Sequence, residues 1–159
     1  MSKPTKSKRV LVVGAGVAGS VVSYWLKKFG FSPTLIERSK SLRQNGVGLD
    51  IRGSALDVVK KMGIYKYLCQ QKTQVSRELW VNAQGKVLVE KPSGYNTGDD
   101  IEVMRSNLMD ILMDSVRTIP CYFDKNIIAI HQSEQSVSVT FQDHTVASYD
   151  ILIGADGIH

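Results

Sequence analysis

Three glycines near the amino terminus have the spacing of a phosphate-binding loop. The run reads Gly14-Ala15-Gly16-Val17-Ala18-Gly19 and satisfies the pattern G-x-G-x-x-G. In such a loop the first glycine permits a tight turn, the second leaves room for a pyrophosphate, and the third lets a helix pack closely on the sheet. A helix that begins here directs free N–H groups and the positive end of its dipole at the phosphates. The run therefore predicts a dinucleotide site, with a glycine-rich turn that binds nothing as the alternative.

The elements around this loop should have the order strand, turn, helix, strand. Val10–Val13 is a short apolar run with three β-branched residues, which predicts a buried strand. The broad apolar face of Val17–Phe29 predicts a helix that ends at Gly30. Residues 33–37 predict a second strand, parallel to the first. Glu37 ends that strand, 18 residues after the third glycine, where its carboxylate would accept hydrogen bonds from an adenosine ribose.

Patterns along the rest of the chain predict an α/β fold with an added antiparallel part. A helix should begin at Ser54 and end at Gly63, and residues 64–69 should add a further helical turn or two. Ser106 should be the N-cap of a helix from Asn107 to about Val116. Strands are expected at residues 46–52, 79–81, 86–89, 127–130, 137–141, 146–149 and 150–154, and loops at 38–45 and 92–100. The expected fold is Rossmann-like, with a parallel βαβ core and an antiparallel hairpin and meander.

The net charge does not indicate a nucleic-acid partner. The 159 residues carry a formal charge of +5. Four of these charges belong to Lys3, Lys6, Lys8 and Arg9. We expect residues 1–9 to form a basic disordered tail and residues 10–159 to form one domain. Because no basic stripe interleaved with aromatic residues follows the tail, a solvated tail explains the charge better than nucleic-acid binding does.

Other classes of protein find little support in the sequence. No apolar run approaches the ~20 residues that span a bilayer. The basic start could open a signal peptide, but glycines interrupt the apolar run that follows, so we expect a cytoplasmic protein. The histidines have no metal-ligand spacing with one another or with the two cysteines, which we expect to be reduced and partly buried. The histidines and cysteines are His131, His144, His159, Cys69 and Cys121. Neither a P-loop nor a serine-hydrolase elbow is present.

Four further segments contain residues that could lie beside a dinucleotide. They are Glu37-Arg38, the run from Arg43 to Asp50, Ile101–Leu108 with Arg105 in it, and Asp150–Gly157 with the pair Asp156-Gly157.

Structural roles remain open as alternatives for four of these residues. Arg43 could be an ordinary loop arginine, and Asp50 could cap the helix near Ser54. Arg105 could pair with Glu102 or Asp110, although an exposed pair contributes under ~1 kcal/mol. Asp156 could support a turn before Gly157.

In this order the segments resemble the FAD-dependent aromatic-ring monooxygenases of the p-hydroxybenzoate hydroxylase type, and most of all their tetracycline destructase branch. The resemblance extends from Arg9 to His159. It implies that Glu37-Arg38 lies at the ribose end of FAD, that Asp50 lies beside FAD and that Arg105 contacts FAD. It further implies that Arg43 meets NADPH and that Asp156-Gly157 lies near both cofactors.

The same resemblance implies the chemistry. NADPH reduces FAD, O₂ reacts with the reduced ring, and one oxygen atom passes to an aromatic or enol-rich substrate such as a tetracycline-type antibiotic. The flavin performs this chemistry and the protein binds, orients and excludes water, so no catalytic side chain is assigned. An NAD(P)-dependent Rossmann oxidoreductase is the alternative that the glycine loop and Glu37 alone leave open. A truncated nucleotide-binding fragment without catalysis is another.

The sequence departs from the family at its end. A later Gly-Asp motif, the sheet over the flavin ring and a C-terminal helix are expected in the family and do not follow His159. We therefore expect this chain to be the N-terminal portion of a longer enzyme and not to catalyse alone. We also expect apolar faces to lack partners, so that the isolated chain would be poorly stable or would associate. These faces belong to Leu11, Val13, Leu152 and Ile153.

Overall fold

A computed structural model describes residues 7–42, 46–93 and 98–157. Contacts divide the chain into two compact units. The first unit is Met1–Arg43 with Leu112–His159, and the second is Gln44–Ile111. No helix among the described residues is long and apolar enough to cross a bilayer.

The described elements follow one another as eleven strands and four helices. In chain order they are β1 (Arg9–Val13), α1 (Val17–Lys28), β2 (Ser32–Ile36), β3 (Gly48–Ile51), α2 (Ser54–Lys61), α3 (Tyr65–Gln70), β4 (Arg77–Val81), β5 (Val87–Pro92), β6 (Ile101–Met104), α4 (Arg105–Ser115), β7 (Cys121–Tyr122), β8 (Ile127–Gln132), β9 (Val137–Phe141), β10 (Val146–Tyr149) and β11 (Ile151–Gly154).

A four-stranded parallel sheet forms the centre of the first unit. Its strand order is β11-β1-β2-β7, and each neighbouring pair is parallel. The first strand therefore lies between the next strand of the chain and the last one. This arrangement confirms the predicted βαβ core and the α/β fold class.

Side chains alternate between the two faces of this sheet, and each face has its own core. Val10, Val12 and Leu35 pack on one face together with Val116 and Ile119. Leu11 and Ile36 pack on the other face against Val139 and Phe141 of the meander β8-β9-β10. Both faces are thus covered by apolar side chains, as a parallel sheet requires.

The expectation that Leu11 lacks packing partners is wrong. Its side chain is 0% exposed, because the meander supplies Val139 and Phe141 over it. Val13, Leu152 and Ile153 are partly buried against the same two cores. Association of the chain through unpaired faces stays a prediction.

The second unit contains two antiparallel strand pairs and two short helices. Strands β3 and β6 pair in the register that sets Asp50 opposite Glu102. Strands β4 and β5 form the predicted hairpin. Helices α2 and α3 confirm the predicted helical segments, and Gly63 between them has a φ of +77°, as a helix stop favours.

Three local predictions need correction. Arg9, which we assigned to the tail, is the first residue of β1 and donates its backbone N–H to Asp150 Oδ2 at 2.6 Å. Ser106 is not an N-cap, because α4 begins at Arg105 and β6 leads directly into it. The short strand β7 follows Pro120, where no strand was predicted. The two cysteines are free and partly buried, as expected.

Candidate functional site

The glycine run lies at the edge of the parallel sheet where β1, β2 and β11 end. Val13 is in register with both Ile36 and Gly154, so the three strands finish at one level. Ligands of open α/β sheets bind beyond the carboxyl ends of the parallel strands. The sequence-predicted loop therefore occupies the expected position for a bound ligand.

Two of the glycines are required by the fold itself. A Cβ on Gly14 would lie 2.5 Å from the carbonyl oxygen of Ala155, and the φ of Gly14 is +101°. A Cβ on Gly19 would lie 1.8 Å from the carbonyl oxygen of Gly14. Since each contact is with backbone, no side-chain movement could relieve it. These glycines bring strand β1, helix α1 and the segment after β11 into close contact.

No contact within the described protein requires a glycine at position 16. A Cβ at this position would meet no atom within 4 Å, and its φ of −76° and ψ of −169° are open to any residue. The space beside Gly16 is thus empty of the described protein atoms. A ligand that approaches the backbone is the remaining physical reason for a glycine here.

The amino-terminal end of α1 is open to an anion. Gly16 is its N-cap residue and supplies no side-chain hydrogen bond, and the first turn contains no acidic residue. Val17 and Ala18 begin the helix, with Ala18 exposed. The N–H groups of this turn and the positive end of the helix dipole can therefore receive a phosphate.

The carboxylate of Glu37 is held in place directly after β2. Its Oε2 accepts a hydrogen bond from the backbone N–H of Ala15 at 3.1 Å, and its Oε1 accepts one from Ser39 at 2.9 Å. Burial acts to raise the pKa of this carboxyl, but these two hydrogen bonds and the charge of Arg38 outweigh burial. The pKa of Glu37 consequently lies below its ordinary value of 4.5. An ionised, oriented carboxylate with spare lone pairs results, which suits a ribose diol.

Asp156 and Gly157 follow β11 beside the same loop. The Cα of Asp156 would lie 2.9 Å from a Cβ on Gly14, and Gly157 has a φ of +84°. Both residues are exposed. The described part of the chain supplies no hydrogen-bond donor to the Asp156 carboxylate, so it does not support a turn in the way the alternative required.

Asp50 and Arg105 belong to the second unit. Asp50 Oδ2 pairs with Arg52 Nη2 at 3.0 Å, and α2 has Gly53 as an N-cap without a side-chain hydrogen bond. Asp50 is therefore not the cap that one alternative proposed.

Arg105 is partly buried, and its backbone N–H donates to the carbonyl of Val47 at 2.8 Å. Within the described ranges its guanidinium makes no ion pair, so the alternative pairing with Glu102 or Asp110 is not formed. A partly buried guanidinium without an ionic partner is well suited to a ligand that carries negative charge. Arg43 lies outside the described residues.

Sequence reasoning missed the backbone groups that hold the site together. The N–H groups of Ala15 and Ser39 and the carbonyl of Ala155 have no side-chain signature. A serine two residues after Glu37 is a weak local signal, since such residues often accompany tight turns. The described residues contain no cluster of three or more potential metal ligands.

Comparisons with known proteins agree with this geometry. A protein-family model described as an FAD binding domain matches residues 7–159. A flavin-dependent monooxygenase from an unknown prokaryotic organism is 47% identical over 158 residues, covering 98% of this chain and 41% of that protein. A flavin-dependent monooxygenase from Legionella longbeachae serogroup 1 (strain NSW150) is 44% identical with the same coverage. The crystal structure of tetracycline destructase Tet(51) matches with a TM-score of 0.87 at 45% identity, covering 96% of this chain and 39% of that one. The chain thus spans about two fifths of the length of the relatives it matches.

Proposed function

Because this chain belongs to the FAD-binding domain family, we propose that it binds FAD through the glycine loop and Glu37 and serves a flavin-dependent monooxygenase. The pyrophosphate is received by the loop from Gly14 to Gly19, including Val17 and Ala18 at the start of α1. The adenosine ribose is received by Glu37, with Arg38 beside it.

The observation that carries this proposal is the empty space at Gly16 beside an uncapped helix. The fold accounts for Gly14 and Gly19 by backbone contacts, whereas a Cβ on Gly16 would meet none of the described protein atoms within 4 Å. The helix that starts there has neither a side-chain cap nor an acidic first turn. A pyrophosphate accounts for both features, because it needs close backbone approach and N–H donors.

The other site residues are assigned to the same cofactor or to NADPH. Arg105 contributes a guanidinium that makes no ion pair with the described residues, Asp50 lies beside FAD, and Asp156-Gly157 lies near both FAD and NADPH. Arg43, by family resemblance, meets NADPH. These roles complete the proposed cofactor set of FAD and NADPH.

For the whole protein we propose a cytoplasmic monooxygenase that depends on NADPH and O₂. The bound flavin would supply the oxygen-transfer chemistry, while the protein binds and orients the reactants and excludes water. The substrate is an aromatic or polyketide small molecule. Tetracycline-type antibiotics are the specific candidates, since a tetracycline destructase is among the similar structures, and the role would then be antibiotic resistance.

Titration of the 159-residue chain with FAD tests this function. We expect saturable quenching of flavin fluorescence, and a flavin band between about 370 and 450 nm that is retained after desalting. ADP should compete, because it carries the ribose and pyrophosphate that the loop recognises. Binding of NADH or NADPH without FAD would instead support an ordinary Rossmann oxidoreductase. If FAD, NADH and NADPH all fail to bind, the proposal for this chain is overturned.

A further inference from the structure

The segment that carries Glu37 is fastened by backbone hydrogen bonds to the segment after β7. The N–H of Glu37 donates to the carbonyl of Tyr122 at 2.8 Å, and the N–H of Lys125 donates to the carbonyl of Glu37 at 2.9 Å. The N–H of Asp124 donates to the carbonyl of Ser39 at 3.1 Å. The position of the Glu37 backbone thus depends on where residues 122–125 lie.

The side chain of Lys125 fixes that second segment to the turn between β9 and β10. Its Nζ pairs with Asp143 Oδ2 and donates to Thr145 Oγ1 at 3.0 Å. The same Nζ lies 4.4 Å from the centroid of the Phe141 ring, which is itself 4% exposed. Only 22% of the Lys125 side chain is exposed, whereas Asp143 is 51% exposed, so the ion pair is shielded from water on the lysine side.

Asp143 is held in place by hydrogen bonds from Thr145, two residues later in the same turn. Its Oδ1 accepts hydrogen bonds from the backbone N–H of Thr145 at 3.1 Å and from its hydroxyl at 2.5 Å. The hydrogen bond from Lys125, with those from Thr145, lowers the pKa of Asp143 well below its ordinary range. The aspartate therefore stays ionised and remains a fixed partner for the lysine at neutral pH.

Resting on the proposed function, we propose that Lys125, Asp143 and Thr145 form a clamp that positions Glu37 for the adenosine ribose of FAD. The side chain of Lys125 contacts Asp143, Thr145 and Phe141, and among the described residues it makes no contact with the carboxylate of Glu37. It acts through its backbone N–H and the segment that this group holds. The clamp is a positioning device, and Glu37 remains the group that contacts the ribose.

FAD titration of single and double variants tests the clamp. Lys125→Met keeps an unbranched stem over Phe141 and removes the charge, and we expect the Kd for FAD to rise roughly 3- to 10-fold. In a Glu37→Gln background the same change should have little further effect, because the clamp acts through Glu37. Equal effects in both backgrounds would contradict the clamp and indicate general destabilisation.

Lys60→Met is the matched control. Lys60 pairs with Asp99 at 2.7 Å and lies 5.0 Å from the Tyr65 ring centroid, so it resembles Lys125 in its contacts. It belongs to the second unit, and its partners Asp99 and Tyr65 belong to the same unit. Its removal should leave the Kd for FAD unchanged within about twofold. A loss equal to that of Lys125→Met would count against a specific role for the clamp.

A measurement without FAD separates failure of the clamp from failure of the proposed function. The ¹³C titration of the Glu37 carboxyl should give a pKa below 4.5 in the wild-type chain. In Asp143→Asn this pKa should rise, because Ser39 and Ala15 donate less well once the clamp loosens. Direct electrostatics predict the opposite direction, since the variant removes a negative charge. If the pKa of Glu37 is unchanged or lowered in Asp143→Asn, the clamp is overturned whether or not the chain binds FAD. If the pKa of Glu37 rises but the chain does not bind FAD, only the cofactor assignment is overturned.

Discussion

Gly14 and Ala155 lie in direct backbone contact, with only 2.5 Å between the place of a Cβ on Gly14 and the carbonyl oxygen of Ala155. The backbone N–H of Ala155 donates to the carbonyl of Val13 at 2.8 Å, and that of Gly14 donates to Ile36 at 2.7 Å. The ends of three strands are thereby joined around one glycine. Substitutions in the loop should therefore separate into those that damage the fold and those that damage the ligand site.

Gly14→Ala should reduce the stability of the fold. The new methyl group meets backbone atoms that cannot rotate away, and the φ of +101° is itself unfavourable for alanine. We expect a loss of about 3 kcal/mol or more in the free energy of unfolding, measured by urea denaturation. A loss below about 1 kcal/mol would show that Ala155 moves aside, contrary to the packing described.

Gly16→Ser should weaken FAD binding without loss of stability. The side chain finds open space, and serine is a favourable N-cap, so the free energy of unfolding should stay the same or rise by a few tenths of a kcal/mol. Its oxygen would occupy the space and the N–H donors that we assign to the pyrophosphate. We expect the Kd for FAD to rise by at least roughly tenfold. Unchanged FAD affinity in a stable variant would show that the pyrophosphate does not bind at this position.

Glu37→Gln should reveal a pH dependence with a definite direction. The folded-state pKa of Glu37 is depressed, so folding is favoured by ionisation of this carboxyl. Its contribution to stability is present above the ordinary pKa of 4.5 and is lost as pH falls through the lower folded-state value. The difference in unfolding free energy between wild type and Glu37→Gln should be constant near neutrality and shrink below pH 4.5. A difference that instead grows on acidification would mean that the carboxyl is not held as described.

Leu11→Ala tests whether the meander covers the central sheet. Leu11 is fully buried against Val139 and Phe141, so truncation should cost about 2–5 kcal/mol by urea denaturation. Val146→Ala is the control, because Val146 is 65% exposed and should change stability by less than about 0.5 kcal/mol. Similar small effects for both variants would show that the meander does not cover Leu11.

Local patterns were sufficient for most elements of the fold. Val10–Val13, the glycine run and residues 33–37 each have a short-range signature, and together they specify a parallel βαβ unit. The helices after Ser54 and the hairpin strands were visible for the same reason, because period and turn residues are local. The apolar run at 150–154 predicted a buried strand. It did not predict that this strand pairs with β1, because strand pairing is a long-range contact.

Long-range contacts explain the errors. Arg105 begins α4 directly after β6, and its N–H is bonded to Val47, 58 residues earlier, a contact that no local feature of Ser106 reveals. Strand β7 has only two residues, too few for any periodicity, and exists because β2 pairs with it. Leu11 is buried because the meander folds back over the sheet. At the site, Glu37 was predicted, whereas its donors Ala15 and Ser39 were not.

The pairing of β1 with β11 also affects when the sheet can form during translation. Arg9 bonds to Asp150, 141 residues later in the chain, and the β1–β11 ladder follows from there. At a synthesis rate of about 5–20 residues per second, the ribosome needs on the order of 7–28 seconds between the two strands. Throughout that interval one edge of β1 is unpaired and Gly14 lacks its backbone contact with Ala155. The glycine loop thus gains its β11 neighbour only after Ile151–Gly154 has been made, which predicts that nucleotide binding is not acquired early in translation.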